Sequence, residues 1–188
     1  MPSRWMTLLT RWFAGAAMNE SVVTRIHLDA SAEATWTQMM FYEEVPGRPP
    51  LLLRAVVPCP VRTEGSKGSV GATVRCIYEV GDLVKRMTAI EPPRMIRFEV
   101  LEQRLGIKGC AIARSGSYEL QPRGDGTDVL LTTNYSAYLH PRWLWRPLEK
   151  LVTSQLHHHV LQGMRAAVAP EAVALALSER AVEPVKAR

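Results

Sequence analysis

The run TDVLLTTNYSAYLHPRW at 127–143 turns abruptly into a helix-patterned segment that ends LHHHVLQGMR at 156–165. A strand-patterned stretch feeding one long carboxy-terminal helix predicts a curved sheet wrapped around that helix, and such a wrap can leave a cavity. Within the strand, Val129, Leu131, Thr133 and Tyr135 share one face because side chains alternate with period two. The helix is expected over 144–166. At about 100° per residue, Leu144, Leu148, Leu151, Val152, Leu156 and Gly163 cluster on one side, and Gln155 and His159 fall within the same arc. His157 points nearly opposite. This reading puts Gln155 and His159 toward a ligand and leaves His157 the more exposed of the two histidines. Three consecutive histidines fan around a helix and cannot all close on one metal, so no metal site is expected.

Upstream, the punctuation is short. Gly81-Asp82, Pro92-Pro93, a Gly-containing link and Gly124-Asp125-Gly126 separate expected strands at 72–80, 83–91, 95–104, 115–122 and 127–138. Connections of this length make an antiparallel meander. Alternation assigns Val74, Cys76, Tyr78 and Val80 to the concave face, with Ile96, Phe98 and Val100, then Tyr118 and Leu120. Arg75, Glu79, Arg97, Glu99 and Glu119 take the opposite face. Continuing the register past Val100 brings Glu102 toward the cavity, a placement that a β-bulge would reverse. Tyr78, Phe98, Val100, Tyr118, Thr133, Tyr135, Gln155 and His159 are thus the candidate ligand contacts. Glu102 and His159 are the candidates for acid–base chemistry if a reaction occurs.

Before the meander, Val22, Thr24, Ile26 and Leu28 alternate with Val23, Arg25 and His27, which predicts a strand from about residue 21. Ser31 can cap a following helix, with Glu33 suiting its amino-terminal dipole and Trp36, Met39 and Met40 supplying its buried side. The apolar run at 51–57 ends at paired prolines and reads as an edge strand. Gly65, Gly68 and Gly71 lack both GxxxxGK[ST] and GxGxxG order, so they form a turn rather than a phosphate cradle. Three organisational units follow: an amphipathic extension over 1–20, a folded domain over 21–168 and an Ala-rich tail over 169–188. Trp5, Leu8, Leu9, Trp12 and Phe13 would share one helix face, edged by Arg4 and Arg11. That face suits packing on the domain, an upstream extension ahead of a start at Met18, or peripheral membrane contact through residues 4–13; an export signal ending at the small residues 14–17 is a further reading, weakened by Arg11 in the apolar run.

The chain has 188 residues, 47% hydrophobic and 22% charged, which fits one soluble domain. Its net charge of +5 is scattered among acids, so nucleic acid is not an expected partner. Cys59, Cys76 and Cys110 show neither CxxC nor zinc-ligand spacing and read as reduced thiols in the cytoplasm.

Taken together, the opening strand running into DASAEATW, the segments KGSVGATV and LVKRMTAIEPPRMIRFEV, and the GTDVLLTTNYSAY strand resemble the START-related superfamily. This superfamily is also described as polyketide cyclase/dehydrase-like or SRPBCC. The resemblance covers 21–168 and implies an α+β helix-grip fold whose pocket, between sheet and long helix, takes lipids, sterols, polyketides or quinone-related molecules. It carries no catalytic signature onto a numbered residue and implies no cofactor. The expected function is binding, transport or sensing of a hydrophobic small molecule. A cyclase or dehydratase and a non-catalytic interaction module are the alternatives.

Overall fold

A computed structural model describes residues 14–41, 53, 58–107 and 109–168. Strand β1 (Ala14–Leu28) leads into helix α1 (Ala32–Phe41). The meander follows as β2 (Pro60–Gly65), β3 (Thr73–Tyr78), β4 (Asp82–Glu91), β5 (Met95–Gln103), β6 (Ala111–Arg123) and β7 (Gly126–Leu139), and helix α2 (Arg142–Val168) completes the domain. All seven strands join one antiparallel sheet in the order β1-β7-β6-β5-β4-β3-β2. With the curved sheet wrapped on α2, this is an α+β helix-grip fold.

Alternation sets the sheet's two faces. In β3, Val74 and Cys76 are buried on either side of exposed Arg75; in β5, Ile96 and Phe98 are buried on either side of exposed Arg97. The buried set joins Leu28, Met39, Leu120, Val129, Leu131, Leu161 and Met164 in one core. Each such side chain contributes roughly 1.5–3 kcal/mol by leaving water. Helix α1 starts as its sequence suggests: the Ser31 hydroxyl accepts a hydrogen bond from the Ala34 amide at 3.2 Å, and Trp36 and Met40 pack beside Met39.

Three expectations need correction. Strand β1 begins at Ala14 rather than near Ser21, and Met18 and Glu20 lie opposite Ala137 and Tyr135 of β7. The boundary drawn between residues 20 and 21 therefore falls inside a paired strand, so removing residues 1–18 would strip part of the ladder. Small and polar residues at Ala16, Ala17, Asn19 and Glu20 hide that pairing from a hydrophobicity pattern. Second, Leu53 is helical and completely buried, which does not fit an edge strand, and the other residues of 51–57 lie outside the described residues. Among the described strands one edge is β2, whose Pro60 occupies the first position, where a missing amide is tolerated, and the other is β1. Third, Val80 lies beyond the end of β3 and is exposed. The amphipathic stretch at 4–13 and the tail at 169–188 lie outside the described residues, among which no helix is long and apolar enough to cross a membrane.

Gly116 of β6 sits opposite Phe98 of β5. A Cβ there would stand 2.5 Å from the Thr132 carbonyl oxygen and 2.6 Å from Phe98 Cζ. The absence of a side chain lets the aromatic ring lie across the neighbouring strand. Gly116→Val should destabilise the fold by about 2 kcal/mol through overpacking, read as a lower urea midpoint. An unchanged midpoint would mean that the ring does not need this gap.

Candidate functional site

The concave face and α2 do not close fully on each other. A cavity of about 250 Å³ lies between them with a smaller one of about 140 Å³ beside it, and Tyr78, Lys85, Phe98, Thr133, Leu156 and His157 border both. Leu83, Val100, Leu105, Ile107, Leu139 and Val152 supply much of the larger cavity's wall. The smaller one reaches Met39, Val74, Tyr118, Leu131 and Met164. Strand parity explains the sheet's contribution, because each strand offers every second residue to the interior.

Six of the candidate contacts meet here. Tyr78, Phe98, Val100, Thr133 and Tyr135 line the larger cavity, and Tyr118 lines the smaller. Glu102 does not. The β4–β5 ladder slips between Val84↔Glu102 and Lys85↔Val100, making Leu101 the extra residue of a bulge. Parity reverses beyond it. Gln103 turns inward, donating to the Ala111 carbonyl at 2.9 Å and accepting from the Ala113 amide at 2.8 Å, while Glu102 pairs with Arg104 on the solvent side.

The helix face is also rotated from the expected one. Trp145, Leu148, Glu149, Val152, Thr153, Leu156 and His157 border the larger cavity, Leu148 while still exposed at its rim, whereas Leu144 and Leu151, at one edge of the expected face, are exposed and border neither cavity. The rotation brings His157 into the wall. It is 3% exposed, less than the 7% of His159, which reverses the expected order. Its Nδ1 lies 2.9 Å from Thr24 Oγ1 and its Nε2 2.8 Å from Thr133 Oγ1, tying α2 to β1 and β7. His159 is buried but borders neither cavity, and Gln155 also lies off both walls.

Burial dominates the electrostatics. It pushes the His157 pKa down to about 4, with the charges of His158 and Lys85 acting in the same direction. The ring is neutral at pH 7, so one nitrogen donates to a threonine hydroxyl and the other accepts. Burial holds the phenols of Tyr78 and Tyr118 above the ordinary tyrosine value, and pushes Tyr135 up to about 12 with help from the Glu149 and Glu20 carboxylates. The Tyr135 hydroxyl is buried without a hydrogen-bond partner. Burial opposes the Lys85 ammonium, but Cys76 and Tyr78 outweigh it and keep the pKa above the usual lysine value. The Lys85 Nζ stands 4.3 Å from the centroid of the Phe98 ring.

A charged cluster braces the start of α2. Arg142 grips Glu149 with two bonds of 2.8 and 2.7 Å and reaches Glu20 of β1 at 3.2 Å. Glu20 also takes Arg146 at 2.9 Å and Lys150 at 3.5 Å. Burial pushes the Glu20 carboxyl up, but the Arg146 and Arg142 hydrogen bonds outweigh that and hold it below the ordinary value. Among the described residues, no group of three His, Cys, Asp or Glu side chains is placed to hold a metal ion.

Lys85, Gln103, Glu149 and His157 belong to the wall but were absent from the candidate contacts. Lys85 had a sequence signal: it sits between Leu83 and Met87 at the inward parity of β4. The Arg142–Glu149 pairing, seven residues apart, had none.

No protein-family model matches the chain, and no curated protein matches it in sequence. Solved structures do match its shape. TTHA0849 of Thermus thermophilus aligns over 79% of this chain and 97% of its own, with a TM-score of 0.56 at 16% identity. CV1439 of Chromobacterium violaceum aligns over 80% and 97%, with a TM-score of 0.54 at 13% identity. Norcoclaurine synthase of Thalictrum flavum, in complex with dopamine and hydroxybenzaldehyde, aligns over 86% and 90%, with a TM-score of 0.55 at 14% identity. The chain shares the helix-grip fold of these structures, the fold that its sequence resemblance implies.

Proposed function

We propose that the protein binds an apolar small molecule in the cavity between the sheet and α2, as a carrier or sensor of that molecule. The observation that carries this reading is the cavity itself, about 250 Å³ with a predominantly apolar lining. Protein interiors are close-packed, so an apolar recess of this size between a sheet and a helix is the usual mark of a ligand site, where an occupant gains contacts that the walls otherwise lack. The complex of norcoclaurine synthase with two small aromatic molecules is a supporting case within the same fold. The three cysteines are free, which fits a reducing compartment such as the cytoplasm.

A cyclase or dehydratase would need titratable groups converging on the ligand. The Glu102 and His159 pair considered for that role is not assembled, since Glu102 faces solvent and His159 borders neither cavity. An interaction module with a packed interior would not need the void.

Nile red, an uncharged apolar dye, should bind the full chain with a blue-shifted emission. Val100→Trp, which narrows the larger cavity, should weaken that binding about tenfold or more, while Arg97→Ala on the opposite face of β5 should leave it unchanged. A folded Val100→Trp that binds the dye as well as wild type would move the site elsewhere. No dye binding to the wild type would sink the reading.

A further inference from the structure

The cavity wall carries two kinds of charge. Glu149 is matched by the two-pronged grip of Arg142. Among the described residues, Lys85 has no carboxylate partner: the groups acting on its ammonium are the Cys76 thiol and the Tyr78 phenol, with the Phe98 ring beneath it. A ring face compensates an ammonium only in part, and a charge in apolar surroundings calls for a counter-ion. Lys85 also borders the smaller cavity, whose described lining holds no Asp or Glu. Lys67, which borders it too, is turned toward the Met39 carbonyl oxygen, 3.3 Å away, which leaves Lys85 as the cation at the junction of the two spaces. Low-dielectric walls concentrate the field of such a charge and select the sign of what enters.

Donors surround the same junction. The Tyr78 and Tyr118 phenols stay protonated well above neutral pH, so both can donate but neither supplies negative charge. His157 faces the junction as a neutral ring with both nitrogens engaged by Thr24 and Thr133.

We infer that the occupant is an apolar molecule bearing a carboxylate, with its charge held at Lys85 between the two cavities and its apolar body in the larger one. This rests on the cavity being a ligand site and adds the sign and place of the ligand's charge. A charge-assisted hydrogen bond in a partly desolvated site accounts for the selectivity it predicts.

The test is displacement of Nile red from the full chain at pH 7 by decanoate, decanol and decylamine. Decanoate should displace the dye at about tenfold lower concentration than decanol, with decylamine the weakest. Lys85→Met should abolish the preference for decanoate and leave decanol unchanged, whereas Lys85→Arg should retain it. A parallel pair, 2-naphthoate and 2-naphthol, reports whether a ring or a chain carries the carboxylate. If wild type shows no preference for the acid over the alcohol, or Lys85→Met keeps it, the Lys85 anchor is overturned while the apolar site stands. If neither compound displaces the dye, the site itself falls. Should Lys85→Met fail to fold, the wild-type ratio and the Lys85→Arg result still decide.

Discussion

Acidification from pH 6.5 toward pH 4 should remove about 3 kcal/mol of folding stability through His157 alone. In the unfolded chain this imidazole titrates near its ordinary value of 6.5, but in the folded protein burial holds it at about 4. Below pH 6.5 the unfolded state therefore takes up a proton that the native state refuses, and the equilibrium moves toward unfolding until the native ring also protonates as the pH falls through about 4. The surroundings offer no compensation: Lys85 of β4 and His158 of α2 oppose a positive ring, and Thr24 and Thr133 bring no negative charge. His159, also lowered by burial, adds to the loss with the same sign. Glu20 and Asp128, held below their ordinary values of 4.5 and 3.8, contribute only as the pH falls through those values and lower. Urea unfolding of wild type and His157→Gln should show a stability gap that shrinks by about 3 kcal/mol between pH 7 and pH 4. A gap independent of pH would show that the ring is not held neutral.

Arg142→Met should cost about 3 kcal/mol, the lower end of what removing one partner of a buried ion pair does. The Arg142 side chain is 16% exposed and its two carboxylates, Glu20 and Glu149, 10% each. Glu20 keeps Arg146 and Lys150, so the larger penalty falls on Glu149, which would face the larger cavity uncompensated. Adding Glu149→Gln to Arg142→Met should recover most of the loss, and urea midpoints of the single and double variants measure it. A loss within about 1 kcal/mol would class the cluster with ordinary surface pairs.

The strands were legible wherever apolar and polar residues alternate without interruption. Val74 and Cys76, Ile96 and Phe98, and Val129 and Leu131 all face as their parity requires. Legibility stopped where one residue changes the count. Leu101 is invisible as a bulge in MIRFEVLEQ, yet it decides that Gln103 rather than Glu102 reaches the interior. On α2 the error came from treating every leucine as a core residue. Leu144, Leu148 and Leu151 are exposed, and a shift of the arc away from Leu144 and Leu151 brings His157 into the cavity wall while His159, also buried, borders neither cavity. Lys85 is a different kind of miss. Its position was readable from Leu83 and Met87, but a lysine at an inward parity invites assignment to solvent, and only the assembled cavity shows what surrounds it.

The pairing of β1 with β7 also governs how the chain is made. Leu28 meets Thr127, and Thr24 meets Leu131, so the first strand's ladder partner is synthesised about a hundred residues later. At translation rates of about 5–20 residues per second, β1 waits roughly 5–20 seconds as an unmatched strand. During that interval the meander from β2 to β6 can assemble from local hairpins, but the sheet edge that receives β7, and then β1, stays open. Nascent chains stalled before residue 126 should therefore engage holdase chaperones and remain protease-sensitive over 14–28. Chains stalled after α2 has left the ribosomal tunnel should be protected there.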